Sequence, residues 1–161
     1  IHNPVIPVLL FKLISKLAKR VGIQSVVVVL DVKKKIFGGY ELFTHNGSKS
    51  TGLNPVDFAK KCTQEGAGEI VVNSIDEDGT MKGYDLNLIR KIRNVIDTPM
   101  TVLGGAASLD DIGELINEFG IIGASAGSMF VFKGKYKAVL INYPDKADKD
   151  SLIMNNLSNN I

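Results

Sequence analysis

Four segments of this chain could do chemistry, and each directly follows a short apolar run. Asp31 closes the β-branched run at 26–30 and leads into Val32 and Lys33. A carboxyl group at a strand end can give or take a proton when its surroundings tune it. It can equally cap the chain or pair with Lys33, Lys34 and Lys35. After the run at 70–73 comes Ser74-Ile75-Asp76-Glu77-Asp78-Gly79-Thr80. Clustered carboxylates disfavour one another's charge, which suits acid–base work or cation binding. The alternative is a solvated turn with Asp78-Gly79 at its tip. The loop lacks the later bidentate glutamate of a calcium loop. Gly104-Gly105-Ala106-Ala107-Ser108 follows the run at 100–103, and Gly127-Ser128-Met129-Phe130 follows 121–126. Glycines let backbone N–H groups close around an anion, and a helix opening at Ser108 adds a favourable dipole. Either loop alone reads as a tight turn. Two at consecutive strand ends resemble the phosphate site after the last two strands of an α/β barrel.

Other chemical templates are missing. The sequence holds no GxxxxGK[ST], HExxH, CxxC or GxSxG pattern. Cys62 shares an apolar helix face with Phe58 and Ala59, which suits a core residue better than a nucleophile. His45, in Thr44-His45-Asn46-Gly47, reads as a surface turn, and the lysines at 33–35 as a solvated face. No metal site and no cofactor are expected.

The elements that must position these groups alternate between strand and helix. Residues 25–30, 70–73, 100–103 and 121–126 read as strands. The continuous apolar run at 26–30 is the kind buried on both faces of a parallel sheet. Residues 12–21 place Leu13, Ile14, Leu17, Ala18 and Val21 on one helix face, with Gly22 as the stop. Asn54 and Pro55 start a second helix that Gly66 can close. Asp85 caps a third, carrying Leu88, Ile89, Ile92, Val95 and Ile96. Ser108 with Asp111 resembles a capping box for a fourth, which ends at Gly120. One insertion breaks this rhythm: Gly38-Gly39 between extended segments reads as a β-hairpin arm. The segment after Pro144 is polar and expected to be loosely ordered. Four such strand–helix units fit half of an eight-stranded barrel or a small open doubly wound sheet, and periodicity does not separate the two.

Composition bounds the function. The 161 residues suffice for one domain. A net charge of +2 argues against non-specific nucleic-acid binding. One cysteine precludes an intrachain disulfide. No apolar run has the roughly 18 residues of a membrane span, and the start lacks a cationic signal-peptide region. A cytoplasmic protein is expected. Residue 1 is Ile rather than Met, and a longer parent is expected.

The order of the motifs adds a resemblance. Asp31-Val32-Lys33, the glycine-bearing arm, Thr51-Gly52, Gly66-Ala67-Gly68-Glu69-Ile70, the 74–80 loop, Gly83-Tyr84-Asp85, Gly104-Gly105-Ala106 and Gly127-Ser128-Met129-Phe130 occur in one sequence. In this the chain resembles the cyclase subunits of imidazole glycerol phosphate synthases, which are (β/α)8 barrels of histidine biosynthesis. The resemblance covers the C-terminal half of such a barrel, strands five to eight. It implies a half-barrel over 1–144 and a polar tail over 145–161. It further implies a glutaminase partner that delivers ammonia. The ammonia joins a phosphoribulosyl aminoimidazole-carboxamide ribonucleotide, which is then cleaved and cyclised to imidazole glycerol phosphate. By the same resemblance Asp31 and Asp78 are the catalytic acids. Gly104, Gly105, Gly127 and Ser128 hold a substrate phosphate, and Lys33, Asn73, Gly79 and Thr80 lie near the substrate.

Several positions depart from that pattern. Leu103 stands where a small or polar residue is usual, and Asn73 replaces a common threonine. Residues 129–132 and 138–144 look more like paralogues of surface-polysaccharide pathways, where an ammonia-supplying role in sugar amidation is the alternative. A half-barrel serving only as a binding module is the non-enzymatic alternative. The isolated half is expected to be nearly inactive and to self-associate through its open edges.

Overall fold

The computed structural model describes residues 5–134 and 138–157. Its centre is strand β1, Val27–Lys34. A tight turn links it to β2, Tyr40–Thr44, and then to β3, Lys49–Ser50. Strands β4 (Glu69–Ser74), β5 (Met100–Leu103) and β6 (Gly123–Ala124) follow. They form one sheet in the order β3-β2-β1-β4-β5-β6. Strands β1, β4, β5 and β6 are parallel neighbours, and β2 runs antiparallel to β1. The chain is therefore a mixed α/β structure built on a parallel sheet, consistent with the TIM-barrel family.

The helices between the strands begin and end at the residues their sequence marks. Helix α1 spans Val5–Val21. It starts earlier than the apolar pattern at 12–21 suggests, because Pro7 falls in its first turn, where a missing N–H costs nothing. Helix α2, Pro55–Gln64, is capped by the Asn54 side chain, which accepts from the N–H groups of Val56 and Asp57. Helix α3, Leu86–Arg93, is capped by Asp85. Helix α4, Leu109–Phe119, carries the full capping box between Ser108 and Asp111 and ends at Gly120, whose φ is 69°. A short helix α5, Ser128–Val131, follows β6.

Among the described residues the sheet is covered on one face only, and this corrects the sequence expectation for the run at 26–30. Val28, Leu30 and Val32 are buried, with Ile70 and Val72 of β4 and Met100 and Val102 of β5. Ile14, Phe58, Ala59, Cys62, Leu88, Ile89, Ile92 and Leu115 from α1 to α4 complete that core. The alternate side chains of β1 point the other way, and Val27 and Val29 are 50% and 58% exposed. A period of two in strand burial is what a half-covered sheet imposes.

Two segments differ from their expected extent. Strand β6 is only two residues of the expected 121–126, with Ile121 exposed. The segment after Pro144 is more regular than its composition suggests: Lys146–Leu157 forms α6. Leu152 and Asn156 of α6 lie close to Gly113 of α4. Strands β7 (Phe132–Lys133) and β8 (Ala138–Val139) make a separate antiparallel pair. No helix among the described residues is long and apolar enough to cross a membrane.

The uncovered face carries a test. Val27 and Val29 are solvent-exposed, and apolar sheet faces of this kind drive association at roughly micromolar concentrations. Light scattering at tens of micromolar is expected to show oligomers, and Val29→Lys is expected to reduce them. A clean monomer of the unaltered chain would contradict this.

Candidate functional site

The C-terminal ends of the parallel strands bring the candidate groups together in two clusters. The first is a row across the uncovered face. Asp31 of β1 sits beside Asn73 of β4, and Asn73 beside Leu103 of β5. The Asn73 Nδ2 donates to Asp31 Oδ1 at 2.8 Å. This fixes the amide's orientation and leaves Asn73 Oδ1 buried without a partner. Leu103, its neighbour on the other side, has no donor to offer.

The acidic loop sorts its three carboxylates through one lysine. The Lys34 backbone N–H donates to Asp76 Oδ2 at 2.7 Å. Its Nζ donates to Glu77 Oε1 at 2.7 Å and lies 3.1 Å from Asp85 Oδ2. The Glu77 carboxylate, with Asp85 behind it, holds the Lys34 ammonium well above the ordinary lysine range against the opposing desolvation. The Thr80 hydroxyl folds back to donate to Glu77 O. Lys33 is also engaged: its Nζ donates to Gly47 O at 2.7 Å and lies over the Phe43 ring. Asp78 stays exposed at the loop tip.

The second cluster is a small cleft at the strand ends. Asp78 and Gly79, residues 104–106, residues 125–128 and Leu103 line it. At Gly104 and Gly105 the backbone approaches other segments too closely for a side chain, whereas a Cβ on Gly127 would have no neighbour within 4 Å. A Cβ on Gly104 would lie 2.5 Å from Ser74 O, and one on Gly105 would lie 2.0 Å from Gly83 O. Their φ angles of 99° and 107° favour glycine independently. Gly83 N–H donates to Gly105 O at 2.9 Å, which locks the loop. Tyr84 OH donates to Ser125 O at 3.0 Å and ties the other loop down. Burial pushes the Tyr84 phenol up to about 12, so it remains a donor at neutral pH.

One element of the anion reading changes. The opening of α4 was expected to offer its dipole and amides to a ligand. Asp111 Oδ2 instead accepts from Ala107 N–H and Ser108 N–H, at 2.8 Å and 2.9 Å. Those two amides are spent inside the capping box and are not offered to a ligand.

The placement of the sequence candidates follows. Asp78, Gly79, Gly104, Gly105, Gly127 and Ser128 line one cavity. Asp31 and Asn73 form a hydrogen-bonded pair on the open face. Lys33 and Thr80 are turned toward the arm and their own loop. Sequence reasoning missed the anchoring roles of Lys34, Tyr84 and Asp85. The Gly83-Tyr84-Asp85 motif was visible, but nothing in it says which distant backbone the tyrosine reaches. Cys62 is fully buried in the core, and burial pushes its thiol up to about 12. His45 is exposed with a φ of 55°, as a turn residue should be.

Residues 7–137 match the model of the histidine biosynthesis protein family. This chain belongs to that family. It is 55% identical over 142 residues to a Leptospira interrogans protein provisionally named imidazole glycerol phosphate synthase subunit HisF. The match covers 88% of this chain and 56% of that protein. A Vibrio vulnificus protein, provisionally named as a numbered copy of the same subunit, is 53% identical over 86% of this chain and 54% of its own length. The imidazole glycerol phosphate synthase subunit HisF of Prochlorococcus marinus is 42% identical over 66% of this chain and 42% of its own length. The chain spans about half the length of the curated relatives it matches most strongly. This histidine biosynthesis family member therefore has its glycine loops and strand-end acids within the matched region.

Two outcomes follow from the site geometry. Gly105→Ala is expected to destabilise the fold by about 2 kcal/mol or more, through positive φ and the clash with Gly83 O; urea unfolding measures it. The Cys62 thiol is expected to react slowly with a disulfide reagent at pH 8 in the folded chain and rapidly once unfolded. Because its folded pKa is raised to about 12, its stabilising contribution is complete below the ordinary thiol range and is lost as pH climbs toward 12.

Proposed function

We propose that this chain is the C-terminal half of a (β/α)8 cyclase barrel and carries one half of its active site. The observation that carries the reading is the convergence of both glycine loops with Asp78 and Gly79 around one cavity at the strand ends. Asp31 lies on the same sheet, at the end of β1. Phosphate binding after the last two strands, with an acid at another strand end, is the arrangement expected of a barrel enzyme acting on a phosphorylated substrate.

In this reading the uncovered sheet face is the inner wall of the barrel, and the other half supplies four further strands. The parent takes ammonia from a glutaminase partner. It joins that ammonia to a phosphoribulosyl aminoimidazole-carboxamide ribonucleotide, then cleaves and cyclises the adduct to imidazole glycerol phosphate and an aminoimidazole-carboxamide ribonucleotide. Asp31 moves the proton, oriented by the Asn73 amide. Backbone N–H groups of Gly104, Gly105, Gly127 and Ser128 receive one substrate phosphate. Asp78 stands at the rim of that phosphate site as the second acid. A division of acid and base roles between Asp31 and Asp78 fits their different settings: one is paired on the sheet, the other exposed on a loop. The chain alone lacks the second half of the site, so its own turnover is expected to be negligible.

A titration with ribose 5-phosphate tests this, followed through backbone amide shifts. Saturable shifts at Gly104, Gly105, Gly127 and Ser128 are expected. A dispersed spectrum in which those amides stay still would remove the phosphate site and with it the proposed activity.

A further inference from the structure

The hairpin arm has no part in the site so far, yet its base is bound to the site's acidic loop. Strand β1 runs past Asp31 to Lys34, which stands opposite Tyr40 of β2. Both side chains reach Asp85, Lys34 Nζ at 3.1 Å and the Tyr40 hydroxyl at 3.0 Å. The Asp85 side chain is only 6% exposed and also caps α3 through Leu88 N–H. From the same residue, the Lys34 backbone donates to Asp76 and its ammonium to Glu77. Glu77 in turn backs onto the glycine loop: its Cβ lies 3.2 Å from where a Cβ on Gly105 would stand. The contacts run without a gap from arm to lysine, acidic loop, glycine loop and cavity.

We infer that Lys34 is a positioning residue that holds the 74–80 loop against the glycine loop, so that Asp78 and Gly79 form one wall of the anion cavity. The inference rests on the anion-site reading above for its consequence in binding, though not for the loop's placement. An isolated exposed ion pair contributes little. This one differs, because a single residue serves three carboxylates on two segments and one of those is nearly buried. A charge-assisted bond to a desolvated acceptor holds its geometry better than a solvated one. The arrangement also accounts for the loop's composition. Asp76 and Glu77 are its two anchors, and Asp78 is the acid left facing the cavity.

The test uses the full chain with Lys34→Met, Lys34→Arg and Glu77→Ala. Amide shifts and hydrogen exchange of residues 76–79 are read without ligand, and inorganic phosphate affinity is read from Gly104 and Gly127. Lys34→Met is expected to shift the 76–79 amides and to weaken phosphate binding about fivefold to tenfold, the range of a mutation acting through neighbours. Lys34→Arg is expected to restore both, which a change in bulk stability would not explain. Glu77→Ala leaves the Lys34–Asp85 pair and the cap of α3 in place. It is expected to loosen the loop alone, and it decides the matter if Lys34→Met does not fold. Unchanged 76–79 amides in Lys34→Met, or in Glu77→Ala where the former is unfolded, overturn the inference. If the unaltered chain binds no phosphate, the anion-site reading fails by itself, and the ligand-free amides still decide the role of Lys34.

Discussion

The burial of one face of the β1-β4-β5 sheet against helices α1 to α4 is the constraint on which everything else rests. Leu30, Val32, Ile70, Val72 and Val102 from the strands, and Leu88, Ile89, Ile92 and Leu115 from the helices, are almost wholly removed from water. Each such side chain contributes about 1.5–3 kcal/mol relative to exposure. Because strand side chains alternate, burying this set commits the intervening set to the opposite face. Val27, Val29, Asp31 and Lys33 of β1 therefore share that face by register, whatever their own preferences. The polar row at its upper edge is a consequence of the core beneath it.

The strand ends are then shaped by close backbone approach. Gly104 and Gly105 pass within reach of Ser74 O and Gly83 O, where no side chain would fit. The hydrogen bond from Gly83 to Gly105 and that from Tyr84 to Ser125 fasten both glycine loops to a third segment. A rigid frame of this sort suits a backbone anion site, because the N–H groups need no reorganisation when an anion arrives. The capping box of α4 adds to that rigidity, with Asp111 holding the Ala107 and Ser108 amides at the mouth of the helix.

Charge is distributed to match. The acids near the cavity are not equivalent, since Asp76 and Glu77 are bound to Lys34 and Asp78 lines the cavity. Asp85, although close in sequence to the site motifs, is spent on capping α3 and on holding Lys34 and Tyr40. Asp31 is set apart by its single amide partner. The same residue type thus serves as cap, anchor or exposed group according to which donors surround it.

The local elements and the candidate chemical groups were legible in short stretches of sequence. The caps at Asn54, Asp85 and Ser108 and the stop at Gly120 are short-range features, decided by side chains bonding to backbone within a turn. The glycine-rich loops and the strand-end acids were equally legible, because each is a contiguous motif. What the tertiary structure decided was everything that depends on distant partners. The run at 26–30 reads as buried on both faces, and only the exposure of Val27 and Val29 shows otherwise. Which of Asp76, Glu77 and Asp78 faces the cavity depends on Lys34, about 42 residues earlier in the chain. Asn73 beside Asp31, and Tyr84 beneath Ser125, are likewise contacts between segments about 40 residues apart. A motif states which groups are available; which atoms they meet follows only from the register of the sheet and the packing that fixes it.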